Sequence, residues 1–409
     1  MTNKEFTNTL YTNDNLFILN GMNSDLVDLI YLDPPFNSKR IYSAPIGSKA
    51  AGSSFKDMWT WQDVNEAYLD TLAVKFPSLT RFIATIGKIH SKAMMAYLTY
   101  MAQRIIEMHR VLKDTGSLYL HCDPTASHYL KVLLDEIFGK NNLRNEIVWC
   151  YRQGGRSSNT FGKKHDIIYW YSKTNEKWTF NADAVRIEYE GTGGYVSKGR
   201  NIVGGKEYKV NPLGKIPEDW WDIPALNPMT KERTGYPTQK PIALLQRIIK
   251  ASSNENDIVL DPFCGCATTC VAAQRLGRKW IGIDVEKKAV SILIERLTDA
   301  AGLFKDFINT EIAPQRTDIK IELPTASVKE RLYKEQNGMC NACGTKFDIW
   351  HLETDHIIPK AKGGGDYYEN YQLLCGSCNK IKGDRPMEYL RLKLKTREEM
   401  MENKIIFGE

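Results

Sequence analysis

Two clusters in the first 300 of this chain's 409 residues pair reactive side chains with backbone devices that expose them. The earlier is Asp33-Pro34-Pro35-Phe36, directly after the apolar run VDLIYL. Two prolines fix the backbone just past the end of a strand and present a carboxylate, a backbone carbonyl and an aromatic ring together. Such a group suits a planar amine. An exocyclic amine on a nucleobase is a poor nucleophile because its lone pair is delocalised into the ring. A carboxylate and a carbonyl that accept both N–H bonds favour a pyramidal nitrogen, which attacks an electrophilic methyl in line while the aromatic ring stacks on the base. Methylation at cytosine carbon-5 needs a cysteine nucleophile, commonly presented after a proline. The sequence has no Pro-Cys dipeptide, which sets that chemistry aside.

The second cluster is Asp261-Pro262-Phe263-Cys264-Gly265-Cys266-Ala267-Thr268, between the run DIVLD and a helical pattern. A small-residue turn at the carboxyl end of a strand lets a ligand approach the backbone, where doubly wound folds bind cofactors. Asp284, closing the next strand KWIGID, is then placed to accept ribose hydroxyls, the logic of an adenosine-bearing cofactor. A plain structural turn explains the same residues without a ligand. Cys264, Cys266 and Cys270 point in different directions at such a junction and are not read as a metal site.

A third cluster lies near the C-terminus. Cys340-x-x-Cys343 and Cys375-x-x-Cys378 stand 31 residues apart and supply four thiolates, enough to close a tetrahedral structural zinc site in a module too small for its own core. A zinc ribbon without catalysis accounts for that much. It does not require Asp355-His356, Gly363-Gly364-Gly365, Asn370 or Asn379-x-x-Lys382.

Strands and helices must position these residues. Strands are expected at 27–33, 117–122, 146–151, 166–172, 257–261 and 279–284. Met94, Leu98, Met101, Ile105, Met108 and Leu112 recur at helical spacing. A second helix is expected after Thr125 as cap, with Gly139 closing it, and a third from Pro241. Strands alternating with helices imply an α/β fold with a mostly parallel, doubly wound sheet. His121 and Cys122 read as core or pocket-lining residues.

Residues 38–80 and 181–235, rich in Gly, Ser, Pro, Trp and Tyr, read as insertions that recognise the target. Arg152, Arg156, Lys163 and Lys164 around Gly154-Gly155 are candidates to track phosphates, and Trp59, Trp61, Trp220 and Trp221 to line the base-access side. Residues 301–326 read as a linker.

Composition agrees. Hydrophobic residues make up 42% and charged residues 25%, which excludes a disordered or fibrous chain. No apolar run is long enough to span a membrane and the start is not a recognisable signal, so a cytoplasmic protein is expected. The formal charge is +6, and residues 151–250 hold 17 Lys or Arg against 10 Asp or Glu, an excess that invites a polyanion.

Together the first two clusters resemble the amino-group DNA methyltransferases, which methylate adenine at N6 or cytosine at N4. The Asp33 motif precedes the Asp261 motif by 228 residues, the circularly permuted order of the beta class of that family. GSLYLHCDPTASHYL at 116–130, HDIIYWYSK at 165–173 and GYPTQKP at 235–241 extend the resemblance over about residues 10–300. It implies a Rossmann-like sheet with helices on both faces. Asp33, Pro34, Pro35 and Phe36 are then catalytic. S-adenosylmethionine is implied as cofactor, with Asp261, Phe263, Gly265 and Asp284 around it and Thr238, Gln239 and Lys240 near its methionine end. Cys266-Ala267 departs from the small residues such as Ser-Gly usual there. An Asp heading the motif favours adenine within the family.

The third cluster resembles the HNH endonucleases and their zinc-bound ββα-metal fold. By that resemblance His356 is general base, Asp355 and Asn379 hold one divalent ion, magnesium, against the phosphate, Asn370 pins the loop that orients His356, and Lys382 or Arg385 holds phosphate. The expected organisation is a methyltransferase domain at 1–300, the linker, and an HNH domain at 327–409. This describes a bifunctional enzyme of double-stranded DNA, a monomer or homodimer, suited to restriction-modification or to phage DNA modification. The alternatives are a cytosine N4 methyltransferase, a zinc tail that only binds DNA, and an RNA methyltransferase.

Overall fold

The computed structural model describes residues 8–395 except 38–39, 45–47, 49, 51–53, 58–59, 61–71, 74, 153–156, 190–199, 204–205, 210, 228, 302–306, 319–326 and 367. Its strands are β1 (Thr9–Thr12), β2 (Val27–Leu32), β3 (Arg40–Ser43), β4 (Ser54–Asp57), β5 (Leu112–Cys122), β6 (Leu143–Cys150), β7 (His165–Ser172), β8 (Arg200–Val203), β9 (Lys206–Lys209), β10 (Trp220–Asp222), β11 (Ile258–Asp261), β12 (Lys279–Asp284), β13 (Ile308–Thr310), β14 (Leu352–His356) and β15 (Tyr371–Cys375).

Nine of these form one sheet in the order β10-β6-β7-β5-β2-β11-β12-β1-β13. Every pairing is parallel except those of β7, which runs antiparallel to both β5 and β6. The central strands are apolar along their length because helices cover both faces. Alternation along β2 sends Ile30 and Leu32 to one core and Leu29 and Tyr31 to the other. The helix Lys92–Val111 starts where Ser91 accepts the Met94 N–H, and its stripe from Met94 to Met108 is at most 1% exposed. Leu112, last of the expected stripe, already opens β5.

Two expectations are corrected. The helix Ser127–Phe138 is preceded by Ala126, and Thr125 does not cap it: the Asp123 carboxylate takes the N–H groups of Thr125 and Ala126. The stretch 301–326 holds a strand, since Ile308–Thr310 pairs in parallel with β1. β1 has an outer edge of unpaired backbone groups, and this strand satisfies it. Residues 313–318 continue along the helix Asn15–Gly21: Ser24 donates its N–H to Asp318 at 2.8 Å, and a Cβ on Gly21 would meet the Pro314 carbonyl oxygen at 1.9 Å.

β14 and β15 form an antiparallel hairpin followed by the helix Gly376–Lys382, packed with the helix Ser327–Glu335 around Leu332, Leu352, Leu373, Leu374 and Met387. Gly363 of this unit lies against the Phe17 carbonyl and Ala313. Among the described residues no helix is long and apolar enough to cross a membrane.

Candidate functional site

Three neighbouring parallel strands end in the carboxylates that matter. Asp33 follows β2, Asp261 closes β11 and Asp284 closes β12. With Leu260 level with Ile30 and Asp261 with Gly282, the three carboxylates emerge at the same edge. Asp33, Pro34, Pro35, Phe36, Thr238, Gln239, Lys240, Asp261, Phe263, Gly265 and Asp284 all line one cleft of about 520 Å³.

The side of the cleft around Asp261 and Asp284 is tied by hydrogen bonds. Asp261 accepts the Phe263 N–H at 3.1 Å and the Thr269 hydroxyl at 2.5 Å, and Asp284 accepts the N–H groups of Gly265 at 2.7 Å and Glu286 at 2.8 Å. Burial pushes the Asp261 carboxyl up to about 7 and that of Asp284 up to about 6, against these hydrogen bonds. Gly265 has φ of 50°, and a Cβ there would meet the Tyr236 ring at 3.0 Å. Ala267 and Thr238 also have positive φ, 57° and 60°. For a β-branched residue such as Thr238 that conformation is imposed by its surroundings. A glycine cradle at a strand end with two flanking carboxyls, Asp284 and Glu286, fits a ribose-bearing cofactor.

On the side of the cleft around Asp33, one partner differs from expectation. Lys240, nine-tenths buried, places its Nζ 2.5 Å from Asp33 Oδ2 and 5.5 Å from the centre of the Phe36 ring. Its ammonium is therefore engaged with the carboxylate of the Asp33 motif. Asp33 Oδ1 is buried without a hydrogen-bond partner, in a residue that lines the cleft. Gln239 lines the cleft, but its amide is spent within its loop, accepting from Thr234 and donating to the Glu232 carbonyl.

Sequence reasoning missed Asn13, Asp14, Asn15, Tyr31 and Tyr100, which also line the cleft. Asp14 and Asn15 are held by Arg104, whose Nη2 lies 2.9 Å from Asp14 Oδ2 and whose Nε lies 2.6 Å from Asn15 Oδ1. The signal was Arg104, a charge set in a helix otherwise read for its apolar stripe. Of the recognition candidates, Trp220 is exposed, Trp221 is buried beneath Arg247, Arg152 pairs with Asp222, and Lys163 and Lys164 lie before β7. Gly154, Gly155, Arg156, Trp59 and Trp61 lie outside the described residues.

In the C-terminal unit the ligand atoms of Cys340, Cys343, Cys375 and Cys378 lie within 4.8 Å of one another. The Cys375 N–H reaches Cys340 Sγ at 3.3 Å. Four thiols this close fit a tetrahedral zinc ion. His356 Nε2 lies 2.7 Å from Asp366, which also accepts from Lys360 and Tyr371. Those contacts, Lys360 foremost, hold the Asp366 carboxyl down at about 2. Asn370 ties Ile358 and Gly365 together through three hydrogen bonds.

The residues expected to hold magnesium do not fit it as arranged. Lys382, fully buried, sets its Nζ 3.1 Å from Asp355 Oδ1 and 3.0 Å from Oδ2, and Gln372 donates to Oδ2 at 2.8 Å. Asn379 gives its amide to Glu353 at 2.6 Å. An ammonium occupies the coordination space of Asp355, so Lys382 faces inward and not toward a phosphate. Arg385 is exposed and stacks on Tyr389.

Comparison with known proteins adds the following. The family described as DNA methylase matches residues 27–295, and the family described as HNH endonuclease matches residues 340–385. The chain is 29% identical over 299 residues to DNA adenine methyltransferase YhdJ of Escherichia coli (strain K12), covering 72% of this chain and 83% of that protein. It is 34% identical over 203 residues to type II methyltransferase M.HpaI of Haemophilus parainfluenzae, 49% of this chain and 59% of that protein. A solved structure of the PvuII DNA methyltransferase (cytosine-N4-specific) aligns with 14% identity and a TM-score of 0.47 over 72% of this chain and 88% of that one.

Proposed function

The chain belongs to the DNA methylase family and carries a C-terminal HNH domain, and from that premise we propose that it methylates the N6 amine of adenine in double-stranded DNA. S-adenosylmethionine supplies the electrophilic methyl. The observation that carries this reading is the convergence of residues 33–36, 238–240, 261–265 and 284 on one cleft.

Each residue then has a task. Asp284 and Glu286 take the ribose hydroxyls, and Phe263 and Gly265 shape the bed beneath. Asp33 Oδ1, the buried acceptor without a partner, takes one amine N–H, and a backbone carbonyl of the motif takes the other. Lys240 holds Oδ2 and keeps the carboxylate aimed. Phe36 stacks on a base flipped out of the duplex. Adenine is supported by the Asp that heads the motif and by the relative named as a DNA adenine methyltransferase. The enzyme acts in the cytoplasm, as a monomer or homodimer. The test is methyl incorporation into duplex DNA against structured RNA, with the modified nucleoside identified by mass spectrometry. N4-methylcytosine, or stronger incorporation into RNA, would overturn the assignment.

A second activity rests on the C-terminal unit. We propose that zinc held by its four cysteines staples the module and that His356, oriented by Asp366, activates water for phosphodiester hydrolysis. Joined to a methyltransferase, this suits restriction-modification or phage DNA modification, with methylation blocking cleavage. Loss of plasmid cutting in His356→Ala and on premethylated plasmid supports it. No cutting by the native chain with any divalent cation would leave a zinc tail that binds DNA.

A further inference from the structure

Behind the Asp33 motif a line of buried polar groups crosses the sheet, one from each of the neighbouring strands β2, β5 and β7. His121 is fully buried. Its Nδ1 lies 2.9 Å from the Tyr31 hydroxyl and its Nε2 3.0 Å from Asp166 Oδ2. Tyr31 lines the cleft two residues before Asp33. At the far end Asp166 Oδ1 accepts from the Tyr151 hydroxyl at 3.4 Å. The imidazole is wedged between Phe36, with ring centres 6.0 Å apart, and the edge of Trp149, 5.3 Å away. A core has no need of such groups, because a buried polar group costs free energy unless it is satisfied.

Chemistry fixes the direction of this chain. Burial pushes the Asp166 carboxyl up, but the hydrogen bond and charge of His121, the charge of Lys240 and the hydrogen bond from Tyr151 more than offset it, so it stays below the usual carboxylate range. An ionised carboxylate only accepts, so His121 donates through Nε2, and in the neutral ring its Nδ1 is left as acceptor. The Tyr31 O–H must then donate to Nδ1. Its proton points into the core and its oxygen lone pairs remain for the cleft.

Methyl transfer leaves a proton to dispose of. As the N–C bond forms the S–C bond breaks, the sulfonium becomes a neutral thioether, and the methylated nitrogen must release one proton. We propose that the Tyr31 oxygen stands beside Asp33 to receive the proton that the methylated nitrogen releases, and that His121 and Asp166 behind it take up the charge while product is still bound. Tyr31 takes the proton as its own passes to His121 Nδ1, giving an imidazolium beside the Asp166 carboxylate. After product leaves, water entering the cleft takes this proton from Tyr31 as His121 Nδ1 hands the phenol its own proton back, and the chain resets. His121 and Asp166 are positioning residues that act through Tyr31.

This inference rests on the methyl-transfer reading. The experiment measures single-turnover methylation of an unmethylated duplex by the full chain and by Tyr31→Phe, His121→Gln, Asp166→Asn and the Tyr31→Phe/His121→Gln pair. Cofactor and DNA affinities and thermal melts are measured beside the rates. Each single change is expected to slow transfer by about 10²-fold, the lower end for a positioned acid-base group, with affinities within about threefold. The pair should be no slower than the slower single, as for groups acting as a unit. Tyr31→Phe removes one hydroxyl and keeps the test decisive where His121→Gln does not fold. A wild-type rate in Tyr31→Phe, or a pair whose loss equals the product of the single losses, overturns the relay alone. A native chain that transfers no methyl to any base amine overturns the underlying reading.

Discussion

Asp33 has two roles that substitution can separate. One oxygen is a buried acceptor without a partner, and the other is bound to an almost buried ammonium, with Asp33 and Lys240 side chains 16% and 9% exposed. Removing one member of a buried ion pair costs about 3–5 kcal/mol because the other charge is stranded. This pair borders a cleft, so Asp33→Ala is expected to cost about 2–3 kcal/mol, an estimate discounted for that exposure. For a domain of about 300 residues the melt falls by about 3–5 °C. Lys240→Met in the same chain removes the stranded charge and should recover most of that loss. Activity should not return, because the acceptor is still missing. Losing a group that stabilises developing charge costs about 10²–10³ in rate. Thermal melts and methyl incorporation on the single and double variants decide the matter. Recovery of methylation in Asp33→Ala/Lys240→Met, or a double variant as unstable as the single, would refute the two-role account.

Further expectations concern the other sites. Cys375→Ser should release zinc and unfold the C-terminal unit while the nine-stranded sheet melts as before, read by zinc content and by hydrogen exchange of each unit. The raised carboxyls give a sign to the pH response. Asp284 and Asp261 ionise near 4 when unfolded but at about 6 and about 7 when folded, so the folded state holds the extra protons between those values. Their contribution to stability must fall as pH rises from about 4 to about 7. Asp284→Asn should flatten that part of the stability profile, and an unchanged slope would count against burial as the cause. Replacing Lys382 by Met strands Asp355, so the C-terminal unit should lose about 3–5 kcal/mol and regain stability on adding magnesium, a response the native chain should lack in the same melt.

Much of this was readable from sequence because the chemistry sits where strands end. Pro34-Pro35 and Gly265 mark the carboxyl ends of β2 and β11, and once the sheet is parallel their carboxylates must share an edge. Pairings set by strand order were not readable. His121 was read as core or pocket lining, and it is core. Its bonds to Tyr31 and Asp166 arise because β5 lies between β2 and β7, an order no local pattern encodes. Lys240 was read as lying near the cofactor's methionine end and Lys382 as a candidate for phosphate, and the carboxylate each pairs with was not foreseen. A single charged residue after a motif reports its type and not its direction. β1 and β13 escaped notice because four and three residues are too few to show a period.

The pairing of Ile308–Thr310 with β1 governs how the chain can be divided. A protease nick or a stop codon near residue 301, where the helical pattern ends, would strip the last strand from the sheet. The bared edge of β1 would offer its unpaired N–H and C=O groups to another molecule, a template for edge-to-edge aggregation. The Asp318 contact to Ser24 would go with it. A shortened methyltransferase half should stay soluble when it ends after Asp318 and precipitate when it ends before Ile308, so the N-terminal unit extends through Asp318.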